Sequence, residues 1–151
     1  MGEVRVDVDI PWGPEAPTAA RKALRAVLSG WGLADRDWLD NAELVVSELV
    51  SNALTHGDGC HGVTVEHHHG QVIISVADGS EIAPTRAAHL GGLGMRMVVQ
   101  LSARWGVDRL FHGGKRVWVQ LPPCPPSVRQ REGPVRHRPT GRRSTTDSIT
   151  S

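Results

Sequence analysis

The stretch from Glu43 to Gly57, E-L-V-V-S-E-L-V-S-N-A-L-T-H-G, constrains this chain most. Leu39, Ala42, Val46, Leu49, Val50 and Ala53 recur at helical spacing and form one stripe to bury. Asn41, Glu48, Ser51, Asn52 and Thr55 form a second, polar stripe opposite it. Glu48 and Asn52 lie one turn apart, so both side chains project to the same side. Such a carboxylate and carboxamide could share a metal ion, a water or a phosphate. On its own, a polar stripe is most simply a solvated helix surface.

The flanking elements follow from pattern. Glu3 to Ile10 alternates, with Val4, Val6, Val8 and Ile10 on one side, which predicts a half-buried strand ended by Pro11. Pro17 to Ser29 predicts a helix that buries Ala20, Leu24, Val27 and Leu28 and stops at Gly30 and Gly32. Asp35 or Asp37 is placed to cap the central helix, which should run to about His56. Val63 to His68 and Gln71 to Ala77 predict a hairpin turning near His69-Gly70. Its second strand is nearly all apolar and delivers Asp78 at its C-terminal end. Residues 79–91 lack periodicity, and a loop of that length in a small domain is often a lid. Gly92-Leu93-Gly94 opens a helix from Met95 to Ser102. Two closing strands, Arg104 to Leu110 and Lys115 to Leu121, flank a turn at His112-Gly113-Gly114.

The chain has one domain's worth of sequence, 151 residues. No apolar run is long enough to span a bilayer, and the N-terminus has no basic region leading into an apolar stretch. A cytoplasmic location is expected, and Cys60 and Cys124 are read as incidental thiols. The net charge of +1 hides an asymmetry. Residues 122–151 hold six Arg against Glu132 and Asp147, hence +4. The 11 other basic residues against 14 acidic ones leave residues 1–121 at −3. The expected organisation is a folded domain over 1–121 and a disordered tail over 122–151, rich in Pro, Arg, Ser and Thr.

Each candidate site feature has a chemical rationale. A glycine-rich turn that opens a helix offers free N–H groups and a favourable dipole to an anion. Asp78 ends a buried strand, so its carboxylate needs a partner, which the exocyclic amine of adenine could supply. The plain alternative is a turn-forming Asp before Gly79. Asn52 could give Mg²⁺ an amide oxygen, with phosphates and waters completing the octahedron. Glu48 could orient or deprotonate an attacking hydroxyl.

Five segments carry a resemblance: E-L-V-S-N-A (48–53), V-A-D-G-S (76–80), G-G-L-G-M (91–95), R-W-G-V (104–107) and G-G-K-R-V-W-V (113–119). In this order and spacing the chain resembles the RsbW/SpoIIAB type of anti-sigma-factor serine kinase, over roughly residues 3–121. That family sits in the superfamily of histidine kinases, Hsp90, gyrase and MutL. The resemblance implies a Bergerat-type α/β (α+β) two-layer sandwich, a mixed, mostly antiparallel sheet with helices on one face. It also implies ATP and Mg²⁺ as cofactors. Glu48 would be the general base and Asn52 the metal ligand. Asp78 and Gly79 would belong to the adenine box, and Gly92, Leu93, Gly94 and Met95 to the phosphate-binding turn. The substrate would be a serine or threonine on an anti-anti-sigma (STAS-like) protein. A sigma factor or another transcription regulator would be the second partner, and a homodimer is open. The chain departs from the family pattern in three places. Asp78-Gly79-Ser80-Glu81-Ile82 stands where D-x-G-x-G is frequent, Arg116 follows G-K where a small hydroxyl residue is frequent, and the lid is short.

Other signals are read plainly. His67-His68-His69 is taken as exposed histidines near a turn rather than a metal tract, and the five Trp as core or core-edge anchors. The Arg-rich tail could touch nucleic acid or an acidic partner, but it lacks aromatic interleaving, so a solvated tail is the favoured reading and direct nucleic-acid binding is not expected; no membrane partner is expected either. Two functions lead: a protein serine/threonine kinase that also sequesters a regulator, and a non-catalytic module that grips a partner according to its nucleotide; a nucleic-acid-associated regulator working through the Arg-rich tail is a third reading.

Overall fold

The computed structural model describes residues 2–11, 13–56, 60–80 and 93–126. The elements run β1 (Val4–Val8), α1 (Ala16–Gly30), α2 (Arg36–His56), β2 (Cys60–His68), β3 (Gln71–Asp78), α3 (Leu93–Leu101), β4 (Arg104–Arg109) and β5 (Lys115–Gln120). They build the α+β sandwich expected, one five-stranded sheet in the order β1-β2-β3-β5-β4 with helices packed on it. Every described strand pairing is antiparallel, where the sequence reading allowed a mixed sheet. After β3 the chain returns through α3 to the edge strand β4, then turns back so that β5 lies beside β3.

Local chemistry sets the boundaries. Asp35 caps α2: its Oδ1 accepts the Trp38 N–H at 2.9 Å. Pro17 sits in the first turn of α1, where a missing N–H leaves no bond unmade. That helix ends at a left-handed Gly32 (φ 84°), which lets the Leu33 N–H return to the Leu28 carbonyl at 3.1 Å. The β2–β3 hairpin closes through His69 (φ 47°) and Gly70 (φ 81°), two consecutive left-handed residues that match the twist of the strands they join.

One core lies between sheet and helices. The stripe read on α2 is buried throughout, and Val45 joins it. It meets Ala20, Leu24 and Leu28 of α1, Val98 of α3 and the inward residues Val63, Val65, Ile74, Val76 and Val119 of the sheet. Each such Val, Leu or Ile contributes about 1.5–3 kcal/mol by leaving water. Arg25 of α1 bridges to Asp40 and Glu43 of α2 at 3.1 and 3.3 Å. The hydrogen bond to Asp40 raises its pKa above the ordinary arginine value. This bridge lies at the surface and adds little to the apolar seam beneath it.

The edge strand β1 is less covered than its alternation predicts: Val8 and Ile10 pack against the core, but Val4 is exposed. His67 differs from expectation as well. It is buried and stacked on Trp31, ring centroids 5.3 Å apart, because alternation in β2 aligns it with the inward Val63 and Val65. His69 is exposed, and His68 lies 3.3 Å from Glu3. Beyond β5, the described chain continues to Pro126. Trp38 Nε1 donates to the Pro122 carbonyl at 2.7 Å, and Cys124 packs against the core. Among the described residues no helix is long and apolar enough to cross a membrane.

Candidate functional site

The central helix presents the two residues singled out for chemistry. Its apolar stripe is pinned against the sheet and α1, which fixes the rotation of the whole helix. Glu48 and Asn52 therefore sit on its flank, each half-buried. Neither makes a side-chain hydrogen bond or ion pair among the described residues. A half-buried carboxylate and carboxamide that spend nothing on the protein have free oxygen donors for a ligand. α2 packs against both α3 and β3, so the helix with this pair adjoins the helix opened by Leu93-Gly94 and the strand ending at Asp78.

The end of β3 is a charged cluster. Asp78 is the last residue of the strand and is 3% exposed. Its Oδ1 accepts two bonds, from the Ser80 N–H at 2.9 Å and from Lys115 Nζ at 3.0 Å. The bond to Ser80, two residues on, is the Asx-type turn given above as the plain alternative. The bond to Lys115 joins two side chains that are both nearly buried. The partner that burial demands is thus already present within the protein, in addition to anything adenine could offer.

Lys115 was missed in the sequence, although a signal for it was there. Val117 and Val119 face inward, so two residues back along β5 Lys115 must do so too. The sequence reading noted instead Arg116, as a departure from the small hydroxyl residue frequent after G-K. In the structure Arg116 pairs across β4 with Asp108 and lines the outer face of the sheet, away from Asp78. The close approach of β5 to Asp78 depends on Gly114 (φ 88°). A Cβ there would stand 2.2 Å from the Asp78 carbonyl oxygen.

The remaining candidates are placed as follows. Gly79 follows Asp78 directly, its Cα 3.2 Å from where a Gly114 Cβ would lie. Leu93 and Gly94 form the first turn of α3, and Met95 is buried in the core at 2% exposure. Any contact of Met95 with a phosphate would therefore come through its backbone. Gly92, with Gly91 and all of the expected lid (residues 79–91) beyond Ser80, lies outside the described residues. So does the tail from residue 127. No cluster of three metal-ligating side chains occurs among the described residues.

Two shallow grooves lie on the face of the sheet opposite the described helices. One, of about 380 Å³, runs past Asp7, Thr64, Ala77 and Arg116. The other, of about 320 Å³, runs past Glu66, Ile73, Arg104 and Trp118. Neither touches Glu48, Asn52 or Asp78.

Residues 39–125 match the family described as histidine kinase-, DNA gyrase B- and HSP90-like ATPases, more than half of the chain. The chain belongs to this family. No curated protein matches it. The match begins in α2 and runs past β5, so it takes in Glu48, Asn52, Asp78, Lys115 and the start of α3. Membership makes this an ATP-binding domain. The residues present fit that ligand. Asn52 offers a hard, neutral oxygen of the kind Mg²⁺ accepts beside phosphates, and α3 begins at a Gly-containing turn. The Asp78–Lys115 pair offers an acceptor and a donor together. The first part of the fold, β1 and α1, lies before the matched segment and supplies one wall of the core.

Proposed function

We propose that this ATPase-family chain is a protein serine/threonine kinase of the anti-sigma type. It would phosphorylate a small anti-anti-sigma (STAS-like) partner and sequester a sigma factor or other transcription regulator. One observation supports the catalytic half of this reading. Glu48 and Asn52 stand one turn apart, half-buried and without partners among the described residues, on the helix that packs against both α3 and β3.

The roles follow from chemistry. Bound Mg·ATP supplies the transferable phosphoryl group. Asn52 would hold the metal through its amide oxygen, and the N–H groups of the first turn of α3 would take the phosphates. Glu48 accepts the proton of the incoming serine hydroxyl as its oxygen bonds to the γ-phosphorus and ADP departs. Phosphoryl transfer asks little covalent chemistry of the protein, so positioning and charge neutralisation suffice.

A second reading is a non-catalytic, nucleotide-dependent binding module. The altered adenine box, Asp78-Gly79-Ser80-Glu81-Ile82 where D-x-G-x-G is frequent, favours it. Transfer of labelled phosphate from ATP to co-encoded candidate partners separates the two. The kinase reading expects transfer by wild type and a loss of roughly 100-fold or more in Glu48→Ala, the scale of a general base. Firm ATP binding with no transfer to any such partner would leave the module.

A further inference from the structure

Lys115 is a buried cation that membership of the ATPase family does not account for. Its ammonium group is nearly buried, 8% exposed as a side chain, on the inner face of β5. Asp78 Oδ1, 3.0 Å away, balances the charge but uses only one of three N–H donors. The other two meet no acceptor among the described residues. An ammonium group taken out of water with donors to spare is costly unless something accepts from them. Asp78 Oδ1 accepts both of that residue's bonds among the described residues, which leaves its Oδ2 as an acceptor. The end of the β3–β5 pair therefore presents a carboxylate acceptor beside a cationic donor.

We propose that Lys115 is a base-specificity residue: Asp78 accepts from the 6-amino group of adenine while Lys115 donates to its neighbouring ring nitrogen N1. This deepens the nucleotide-binding reading above and rests on it. The physical ground is complementarity. Adenine's edge carries a donor at position 6 next to an acceptor at N1, matching an acceptor next to a donor. A hydroxyl in this place could either give or take a hydrogen bond and would select weakly. An ammonium group can only give. Hypoxanthine and guanine reverse the order, with a carbonyl at position 6 and an N–H at N1. With Asp78 opposite position 6, both of their contacts are mismatched, and buried mismatched polar groups give strong rejection.

The test is equilibrium binding of Mg·ATP, Mg·ITP and the Mg complex of 1-deaza-ATP, in which a C–H replaces N1. Wild type should bind 1-deaza-ATP roughly 10- to 100-fold more weakly than ATP, the range for losing one hydrogen bond to a charged group. It should reject ITP more strongly still. In Lys115→Met the penalty for 1-deaza-ATP should shrink to about threefold or less, because no donor remains to miss N1. Since that variant leaves Asp78 buried without its cation, Asp78→Asn/Lys115→Met provides a neutral background. The penalty should be equally small there, and it should persist in Asp78→Asn alone. Equal affinity of wild type for ATP and 1-deaza-ATP overturns the role of Lys115 and leaves ATP binding standing. An undiminished penalty in both Met variants overturns it likewise. Failure of wild type to bind ATP at all overturns the nucleotide reading and this inference together.

Discussion

Gly114 and Lys115 show how much of the site is decided by neighbours in one turn. Gly114 has φ 88°, and a Cβ would stand 2.2 Å from the Asp78 carbonyl oxygen, so backbone strain and a backbone clash coincide. Gly114→Ala should destabilise by at least ~1–3 kcal/mol. Urea unfolding should show a lower midpoint at unchanged slope, and an unmoved midpoint would mean that the β4–β5 turn can yield there. Lys115→Met strands a carboxylate that is 3% exposed and should cost ~3–5 kcal/mol. Adding Asp78→Asn removes the stranded charge and should restore part of that loss. A double variant no more stable than Lys115→Met alone would show that the charge is not what matters. Arg116 illustrates the opposite lesson: one residue on in a strand, a side chain faces the other side of the sheet and leaves the site.

At the scale of elements, helix ends and core stripes carry most of the predictive content. The Asp35 side chain is bonded to the Trp38 N–H at 2.9 Å. Asp35→Ala should lower stability by ~1 kcal/mol, and Asp37→Ala, which removes no such bond, should cost clearly less. Thermal melts of the two side by side decide between them. Leu24 of α1 and Ile74 of β3 are buried to 1% and 0% exposure in the same core, and each truncation to Ala should cost ~2–5 kcal/mol. The eight elements among the described residues were legible in the sequence, because apolar periods of 3.6 and 2 and the turn residues Gly32, His69 and Gly70 dictate them locally. Strand pairing was not legible to the same degree. Nothing local to β5 says that it lies between β3 and β4, and it is that placement that brings Lys115 to Asp78. The polar stripe of α2 was legible for the same reason as its apolar one. Glu48 and Asn52 follow from spacing alone, whereas the burial of His67 under Trp31 needed the tertiary packing of β2 against the helices.

At the scale of the molecule, the sheet carries the described helices on one face, and two shallow grooves lie on the other. The candidate site residues lie on α2, α3 and β3, where α2 packs against both of the others, and the family match spans all three. The central claim is that Asn52 on α2 and the opening of α3 together take Mg·ATP. It is tested most directly by unfolding free energies of wild type and Asn52→Ala, each with and without Mg·ATP. Wild type should gain ~2.7 kcal/mol when free nucleotide reaches about 100 times its dissociation constant. The gain should fall when Mg²⁺ is chelated. Asn52→Ala should unfold like wild type without ligand, because Asn52 makes no side-chain bond among the described residues, yet lose the Mg²⁺-dependent part of the gain. No stabilisation of wild type at millimolar Mg·ATP, or an identical Mg²⁺-dependent gain in Asn52→Ala, would contradict the account.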